Sequence, residues 1–178
     1  MKSKRPVIRL KPREGRRVKS GAPWVFSNEL ALDAAMKALP PGTPVELAAE
    51  DGTPIGAGYF NPKSLIAVRL LGSPETAFDV SFFAGKLRQA LALREAFFSE
   101  PYYRLVHAEG DRLPGVVVDR FDDTVVVQIT TAGMEHLSEA FLAALDEVIA
   151  PACVILRNDT PARTLESLES YVRVAKGD

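Results

Sequence analysis

Cysteine and histidine are scarce in this sequence of 178 residues, which contains one cysteine, Cys153, and two histidines, His107 and His136. A single cysteine excludes an intramolecular disulfide framework and is typical of a protein in the reducing cytoplasm. Neither histidine belongs to a cysteine or carboxylate cluster at ligand spacing, so the sequence predicts no metal site.

Long apolar runs are also lacking. No stretch approaches the roughly 18 apolar residues of a membrane-spanning helix. The basic N-terminus is not followed by an apolar stretch, which excludes a secretory signal. Cys153 lies in an apolar segment without an adjacent His, Lys or Arg to stabilise a thiolate, so we interpret it as a small buried hydrophobe. The sequence therefore predicts a soluble cytoplasmic protein and offers no catalytic residue.

Charge is distributed unevenly along the chain. The first 20 residues contain nine Lys and Arg against one acid, Glu14, whereas the remainder contains 13 Lys and Arg against 22 Asp and Glu. Such an asymmetry indicates either a polyanion partner or a solvated basic tail, and charge alone does not separate the two. Contact with phosphate requires only a cation within reach. The candidate RNA-binding residues are therefore Lys11, Arg13, Arg16, Arg17, Lys19 and Lys63.

Residues 1–73 show the pattern of a small β barrel. Short strands are predicted at residues 7–11, 45–48, 55–60 and 65–71, punctuated by Gly and Pro. A short helix is predicted over residues 29–32, capped by Ser27 or Asn28. Trp24 and Phe26 alternate along a further short strand; they either fill the barrel or stack on bases, and we expect burial.

Residues 74–178 are predicted to form a small α+β domain. Apolar residues at three- and four-residue steps indicate an amphipathic helix over residues 79–98, with Asp79 or Ser81 as its cap. A β-meander, a second helix and a strand at residues 153–156 follow. The predicted fold class is thus α+β, with an N-terminal β pseudo-barrel and a second unit of meander, helix and strand.

Several segments in order resemble one known family. They are residues 21–29, 56–64, 69–71, 113–121, 128–135 and 157–166. Together they are similar to the first two domains of the PUA-containing, SAM-dependent 23S rRNA cytosine-5 methyltransferases. The resemblance implies an RNA-binding PUA domain and a central α+β domain, normally followed by a methyltransferase domain. Neither that family's Gly-rich cofactor loop nor its catalytic cysteine is found in this sequence, so we expect no SAM binding and no activity from this chain alone.

The sequence departs from the family at three positions. Family members usually carry His where this chain has Ala22, and Gly where it has Arg112 and Ser167. Ala22 removes a polar side chain beside Trp24. Arg112 deprives its turn of the residue that most easily adopts a positive φ.

Three functions remain open at this point. The resemblance favours the RNA-recognition half of an rRNA methyltransferase, while the alternatives are a free-standing RNA-binding module and a non-catalytic scaffold. A polar cluster after the strand at 153–156, formed by Arg157, Asn158, Asp159 and Arg163, is expected to contact either RNA or another domain. We also expect self-association through the C-terminal half, as a homodimer, because that strand would be left as a bare sheet edge.

Overall fold

The elements of the chain pack into two units that meet in sequence between Thr76 and Ala77. The computed structural model describes residues 5–177, so Lys2 and Lys4 of the basic N-terminus lie outside the described residues.

The N-terminal unit is built on a six-stranded sheet. Its strands are β1 (Val7–Leu10), β2 (Trp24–Phe26), β3 (Leu30–Ala31), β4 (Thr43–Ala48), β5 (Pro54–Phe60) and β6 (Ile66–Gly72), and its helices are α1 (Arg16–Lys19) and α2 (Ala34–Lys37). The strand order is β2-β6-β5-β4-β1-β3. Strand β1 is parallel to β4, and the other pairings are antiparallel.

Alternation along β1 shows how this unit forms its core. Ile8 and Leu10 are buried, whereas Arg9 between them is exposed. The inward residues join the apolar side chains of the other strands, which include Val25, Val45, Leu47, Phe60 and Val68. The prediction that residues 1–73 form a β-rich unit is therefore confirmed.

The prediction of a helix over residues 29–32 is wrong. Residues Ser27–Glu29 form a single 3-10 turn, which closes because the Glu29 carboxylate accepts a hydrogen bond of 2.8 Å from the Phe26 backbone N–H. The chain then becomes extended at Leu30, because that residue pairs with Leu10 of β1. The helix that does form is α2, where the Asp33 carboxylate caps the backbone N–H of Met36.

The C-terminal unit is a five-stranded sheet with helices. Its strands are β7 (Tyr102–His107), β8 (Val116–Phe121), β9 (Thr124–Ile129), β10 (Cys153–Asn158) and β11 (Tyr171–Lys176), and its helices are α3 (Val80–Glu95), α4 (Ala132–His136), α5 (Ser138–Ile149) and α6 (Ala162–Leu165). The strand order is β11-β10-β9-β8-β7. Strands β9 and β10 are parallel and are joined through α4 and α5, as a crossover requires. The α+β fold class is confirmed.

Helices α3 and α5 pack through aromatic residues. Phe83 of α3 and Phe141 of α5 are fully buried and meet edge to face, with ring centroids 5.7 Å apart. Helix α3 begins where expected, since the Asp79 carboxylate accepts a hydrogen bond of 2.9 Å from the Phe82 N–H. It ends at Glu95 rather than near residue 98, and Phe98 is exposed.

The expected bare edge at residues 153–156 is not observed. Strand β10 is paired on one side with β9 and on the other with β11. Most residues of β11 are exposed, so this strand has no burial alternation that the sequence could have displayed. Self-association through this unit stays a prediction, but its stated reason, an unpaired β10, is wrong.

Candidate nucleic-acid interface

The basic segment after β1 is held against the core at two positions. A Cβ placed on Gly15 would lie 2.3 Å from Leu10 Cδ1, so any other residue would displace the end of the Leu10 side chain, and the φ of 83° also favours glycine. Val18 of α1 is buried. Because Gly15 and Val18 face the core, the cationic side chains between and around them are exposed to solvent.

Four of the predicted RNA-binding residues line one groove. The groove has a volume of about 610 Å³ and is lined by Lys11, Arg13, Arg16, Lys19, Glu14, Ala49, Glu50 and Asp51. The four cations come from the segment between β1 and the end of α1, whereas the last three residues belong to the turn between β4 and β5. The groove thus has one mainly basic wall, which also contains Glu14, and a smaller acidic one.

Lys11 is positioned by two hydrogen bonds to the chain that leads into β3. Its Nζ donates to the Asn28 carbonyl at 2.9 Å, and its backbone N–H donates to the Glu29 carbonyl at 2.8 Å. Arg13, with a φ of 65°, occupies a left-handed turn between Lys11 and Gly15. These constraints fix the backbone from which the basic wall projects.

On the acidic wall, the charged form of Asp51 is stabilised. A hydrogen bond from the Thr53 backbone N–H, 2.9 Å from Asp51 Oδ1, lowers the pKa of the Asp51 carboxyl, and the nearby Lys19 charge lowers it further. A negative side chain at this place repels phosphate and accepts hydrogen bonds from amino or hydroxyl groups. The groove therefore favours an anionic chain on one side and hydrogen-bond donors on the other.

Arg17 does not line the groove with its neighbours. Its guanidinium lies 4.5 Å from the centroid of the Phe26 ring and 3.2 Å from the carboxylate of Glu29, which is itself buried. The arginine side chain is nevertheless more than half exposed. Arg17 therefore forms part of a second surface on β2.

The expectation that Trp24 is buried is wrong. Val25 takes the inward position of β2, so its neighbours Trp24 and Phe26 face the opposite side of the strand. Trp24 is 38% exposed and Phe26 is half-buried. The sequence showed the alternation, but it did not show which of the two sets of side chains faces the core.

Lys63 and Arg9 are two further cations of the N-terminal unit. Lys63 is exposed on the turn after β5, where its N–H donates to Asn61 Oδ1 at 2.9 Å, and it does not line the groove. Arg9, which sequence reasoning did not include among the site residues, extends to the β4–β5 turn: its Nη2 would lie 3.6 Å from a Cβ on Gly52. Its position next to the groove depends on the pairing of β1 with β4, which the sequence alone does not display.

The polar cluster predicted after β10 divides into two parts. Asn158 and Arg163 are buried, and Asn158 Oδ1 accepts a hydrogen bond of 2.7 Å from the Ile129 N–H. Arg157 and Asp159 are exposed and lie 3.5 Å apart. Alternation along β10 separates Arg157 from Asn158, and Arg163 lies in α6, so the four residues do not form one contact surface. Cys153, at the start of this strand, is half-buried.

Within residues 5–177, no group of three or more His, Cys, Asp or Glu side chains is arranged to hold a metal ion. No helix in that same range has the length and apolarity needed to cross a membrane.

Comparisons with known proteins show which proteins this chain resembles. Residues 8–73 match the PUA-like domain family. The ribosomal RNA large subunit methyltransferase I of Shewanella denitrificans is 36% identical over 176 residues, which are 96% of this chain and 44% of that protein. The protein of the same name from Aliivibrio fischeri is 34% identical over 160 residues, or 88% of this chain and 40% of the relative.

Solved structures agree on the fold. A protein assigned as a SAM-dependent methyltransferase from Streptococcus mutans superposes with a TM-score of 0.78 at 16% identity, over 97% of this chain and 43% of its own. A second structure, of an assigned methyltransferase in complex with SAH, gives a TM-score of 0.76 at 16% identity over 99% of this chain and 43% of its own. At such identities these likenesses establish the fold alone.

The sequence comparisons point to one group of proteins. The chain spans less than half the length of the curated relatives that it matches. The predicted PUA domain and the predicted family resemblance are both confirmed. The chain therefore contains a PUA-like domain and is similar, over nearly all of its own length, to less than half the length of the ribosomal RNA large subunit methyltransferase I proteins.

Proposed function

We propose that this chain is the RNA-recognition part of a SAM-dependent rRNA (cytosine-5) methyltransferase, and that it binds structured 23S rRNA through its N-terminal unit. The observation that carries the proposal is the basic wall of Lys11, Arg13, Arg16 and Lys19 on one groove of a PUA-like domain. The curated relatives, which are named as rRNA methyltransferases, support RNA as the polyanion.

The groove accounts for how a folded RNA would be held. Phosphates lie on the basic wall, because four cations there replace counterions of the RNA backbone. Glu50 and Asp51 on the other wall keep phosphates away and accept hydrogen bonds from 2′-hydroxyl or base amino groups. The pair of walls thus orients the RNA strand as well as attracting it.

The crossover from β9 to β10 in the C-terminal unit does not fit SAM. In the C-terminal unit the parallel crossover from β9 enters α4 at Thr131, where a cofactor loop of the usual kind would be rich in glycine. Here Gly133 is the only glycine of that turn, and the Ala132 N–H faces the buried Glu166 carboxylate at 3.4 Å. A buried acid at this place disfavours the carboxylate of SAM. Methyl transfer is therefore assigned to the part of the relatives that this chain does not share.

Removal of the basic wall tests the proposal. We expect the Arg13→Ala, Arg16→Ala, Lys19→Ala triple variant to bind an rRNA hairpin more weakly than the parent chain. The parent should bind with a Kd of roughly 10⁻⁴ to 10⁻⁶ M at physiological salt, the range of largely electrostatic contacts. The slope of log K against log salt should become shallower by about 2 to 3 in the variant, since each phosphate contact contributes about 0.7 to 0.9.

The control is Lys37→Ala, an exposed cation on α2 that does not line the groove. It lowers the net charge by one unit and should leave the slope almost unchanged. Fluorescence anisotropy of a labelled hairpin at several salt concentrations measures both quantities. Equal slopes for the triple variant and the parent would place the RNA elsewhere on the molecule.

A further inference from the structure

Two aromatic side chains lie on the outer face of an edge strand in the N-terminal unit. Strand β2 is the last strand of its sheet and is paired with β6. Because Val25 points inward, Trp24 and Phe26 share the other face of β2. A tryptophan that is 38% exposed presents a large apolar ring surface to solvent.

Arginine side chains accompany both rings. The Arg17 guanidinium lies over the Phe26 ring at 4.5 Å from its centroid. Arg69 of β6 is the direct register partner of Trp24, and its Nη1 donates to the Ile66 carbonyl at 3.3 Å, which holds the guanidinium along the strand. We call this set of four residues, Trp24, Phe26, Arg17 and Arg69, the aromatic face.

Helix α1 connects the aromatic face to the groove. Arg16 and Lys19 line the groove, while Arg17 between them contacts Phe26. One short helix therefore presents cations toward two neighbouring surfaces. A nucleic-acid strand with its phosphates along α1 would therefore lie beside both surfaces.

The surrounding charge favours a nucleobase over an apolar protein side chain as the occupant of this face. Residues 1–76 contain twelve Lys and Arg against seven Asp and Glu. A protein partner would have to desolvate Arg17 and Arg69 to bury the rings, whereas a nucleotide brings its own phosphate to those cations. Aromatic rings flanked by arginines are the combination that single-stranded nucleic acids bind.

We propose that Trp24 is a stacking platform for an unpaired nucleobase of the RNA whose phosphates lie on α1. The inference rests on the proposed function and adds a specificity to it. Bases inside a duplex have both faces covered by their neighbours, so only a bulged, looped or terminal nucleotide can lie on Trp24. The chain then prefers a stem with an unpaired nucleotide to the same stem fully paired.

Trp24 is the only tryptophan of the chain, so its fluorescence reports on this face alone. The test compares two labelled hairpins that are identical except for one bulged nucleotide in the stem. Anisotropy of the label measures the Kd for each RNA, and quenching of Trp24 fluorescence measures stacking. Trp24→Ala, Trp24→Phe and Phe97→Ala are compared with the parent; Phe97 is a matched control because it is an exposed aromatic residue of the C-terminal unit.

We expect the parent to bind the bulged hairpin more tightly and with saturable quenching. Trp24→Ala should weaken binding of the bulged hairpin about 5- to 150-fold, the range measured for loss of one stacked base, and leave the paired hairpin unaffected. Trp24→Phe should retain most of the preference, and Phe97→Ala should retain all of it. Circular dichroism of each variant verifies that the unit is folded.

Other outcomes overturn the inference in distinguishable ways. Equal affinities of the parent for the two hairpins, without quenching, would reject stacking at Trp24 while leaving the groove as the RNA site. An equal loss of affinity for both hairpins in Trp24→Ala would also reject the inference. The ring would then stabilise the fold or contact the duplex instead of an unpaired base. No anisotropy change with either RNA would reject the proposed function together with this inference.

Discussion

Arg163 and Glu135 form an ion pair of 2.8 Å in which the arginine side chain is only 2% exposed. The same guanidinium donates to the Ile129 carbonyl at 2.5 Å and to the Glu169 carbonyl at 2.7 Å. Glu135 in turn accepts a hydrogen bond of 2.9 Å from the Tyr171 hydroxyl. One buried arginine thus joins the end of β9, helix α4 and the segment that leads into β11.

Loss of this arginine should be strongly destabilising. We expect Arg163→Ala to lower the free energy of unfolding by about 3 to 5 kcal/mol, because it leaves two carbonyls without their donor and the Glu135 carboxylate without its ion-pair partner. Arg163→Lys should recover little of this, since an ammonium does not reproduce the planar set of donors. Urea titration followed by circular dichroism at the helical band measures the effect, because the long helices α3 and α5 lie in the same unit.

Arg157→Ala is the matched control for that experiment. Arg157 is exposed and its ion pair with Asp159 is long, so its removal should change the free energy of unfolding by less than about 1 kcal/mol. Similar losses for the two variants would mean that the buried network is not what stabilises this unit.

Two backbone positions should accept glycine with a gain in stability. Arg112 and Ser167 have φ values of 57° and 60°, which L-residues adopt at a cost of about 1 kcal/mol. Arg112→Gly and Ser167→Gly each relieve that strain, while the greater freedom of glycine in the unfolded chain offsets part of it. We expect each to raise the free energy of unfolding by up to about 1 kcal/mol, measured by urea titration.

The reverse substitution at Gly115 provides the comparison. Gly115 has a φ of 79°, and a Cβ there would lie 2.3 Å from Thr131 Oγ1, so Gly115→Ala should destabilise the unit by more than about 1 kcal/mol. Gly110 has a negative φ and no atom within 4 Å of such a Cβ, and Gly110→Ala should be nearly neutral. Destabilisation by either Arg112→Gly or Ser167→Gly would show that the replaced side chain adds more to the free energy of unfolding than its strained backbone subtracts.

Tyr171 makes stability depend on alkaline pH. Burial raises the pKa of the Tyr171 hydroxyl above its usual value near 10, and the hydrogen bond to the negative Glu135 raises it further, against an opposing effect of Asn158. The folded state therefore holds this proton more tightly than the unfolded chain. The stability that this difference contributes is fully present below about pH 10, and it is lost as the pH rises through the raised pKa of Tyr171.

Tyr171→Phe should remove that dependence. At pH 8 the variant should be less stable than the parent by about 0.5 to 1.5 kcal/mol, the worth of one hydrogen bond. This gap should narrow above about pH 10, because only the parent then has a phenol to ionise. Urea titrations at both pH values measure the gap, and a gap that widens with pH would contradict the assigned direction of the pKa.

Local patterns predicted most of the elements. Alternation predicted β1, turn residues predicted the β4–β5 hairpin around Gly52, and spacing together with Asp79 predicted the start of α3. The comparison of Arg112 with the family's glycine correctly pointed to a backbone that requires a positive φ. These features depend on neighbours in sequence, which is why the sequence displays them.

Features that depend on distant neighbours were not predictable. Whether Trp24 or Val25 faces the core is decided by the pairing of β2 with β6, and Leu30 is extended because Leu10 lies beside it. Likewise, β11 was missed because its stability derives from pairing with β10 rather than from a buried face. For the candidate site, the cations were predicted, but the acidic wall across the groove required the fold.

Gly15 has a consequence for affinity. Because its lack of a Cβ lets the basic turn lie directly on Leu10, the backbone that carries the groove cations is ordered before any ligand arrives. Fixing a residue's backbone costs about 1 to 2 kcal/mol, and here that loss of entropy belongs to folding rather than to association. The groove is thus preorganised. Substitution of Gly15, which lines no part of the groove, would therefore slow or weaken RNA binding.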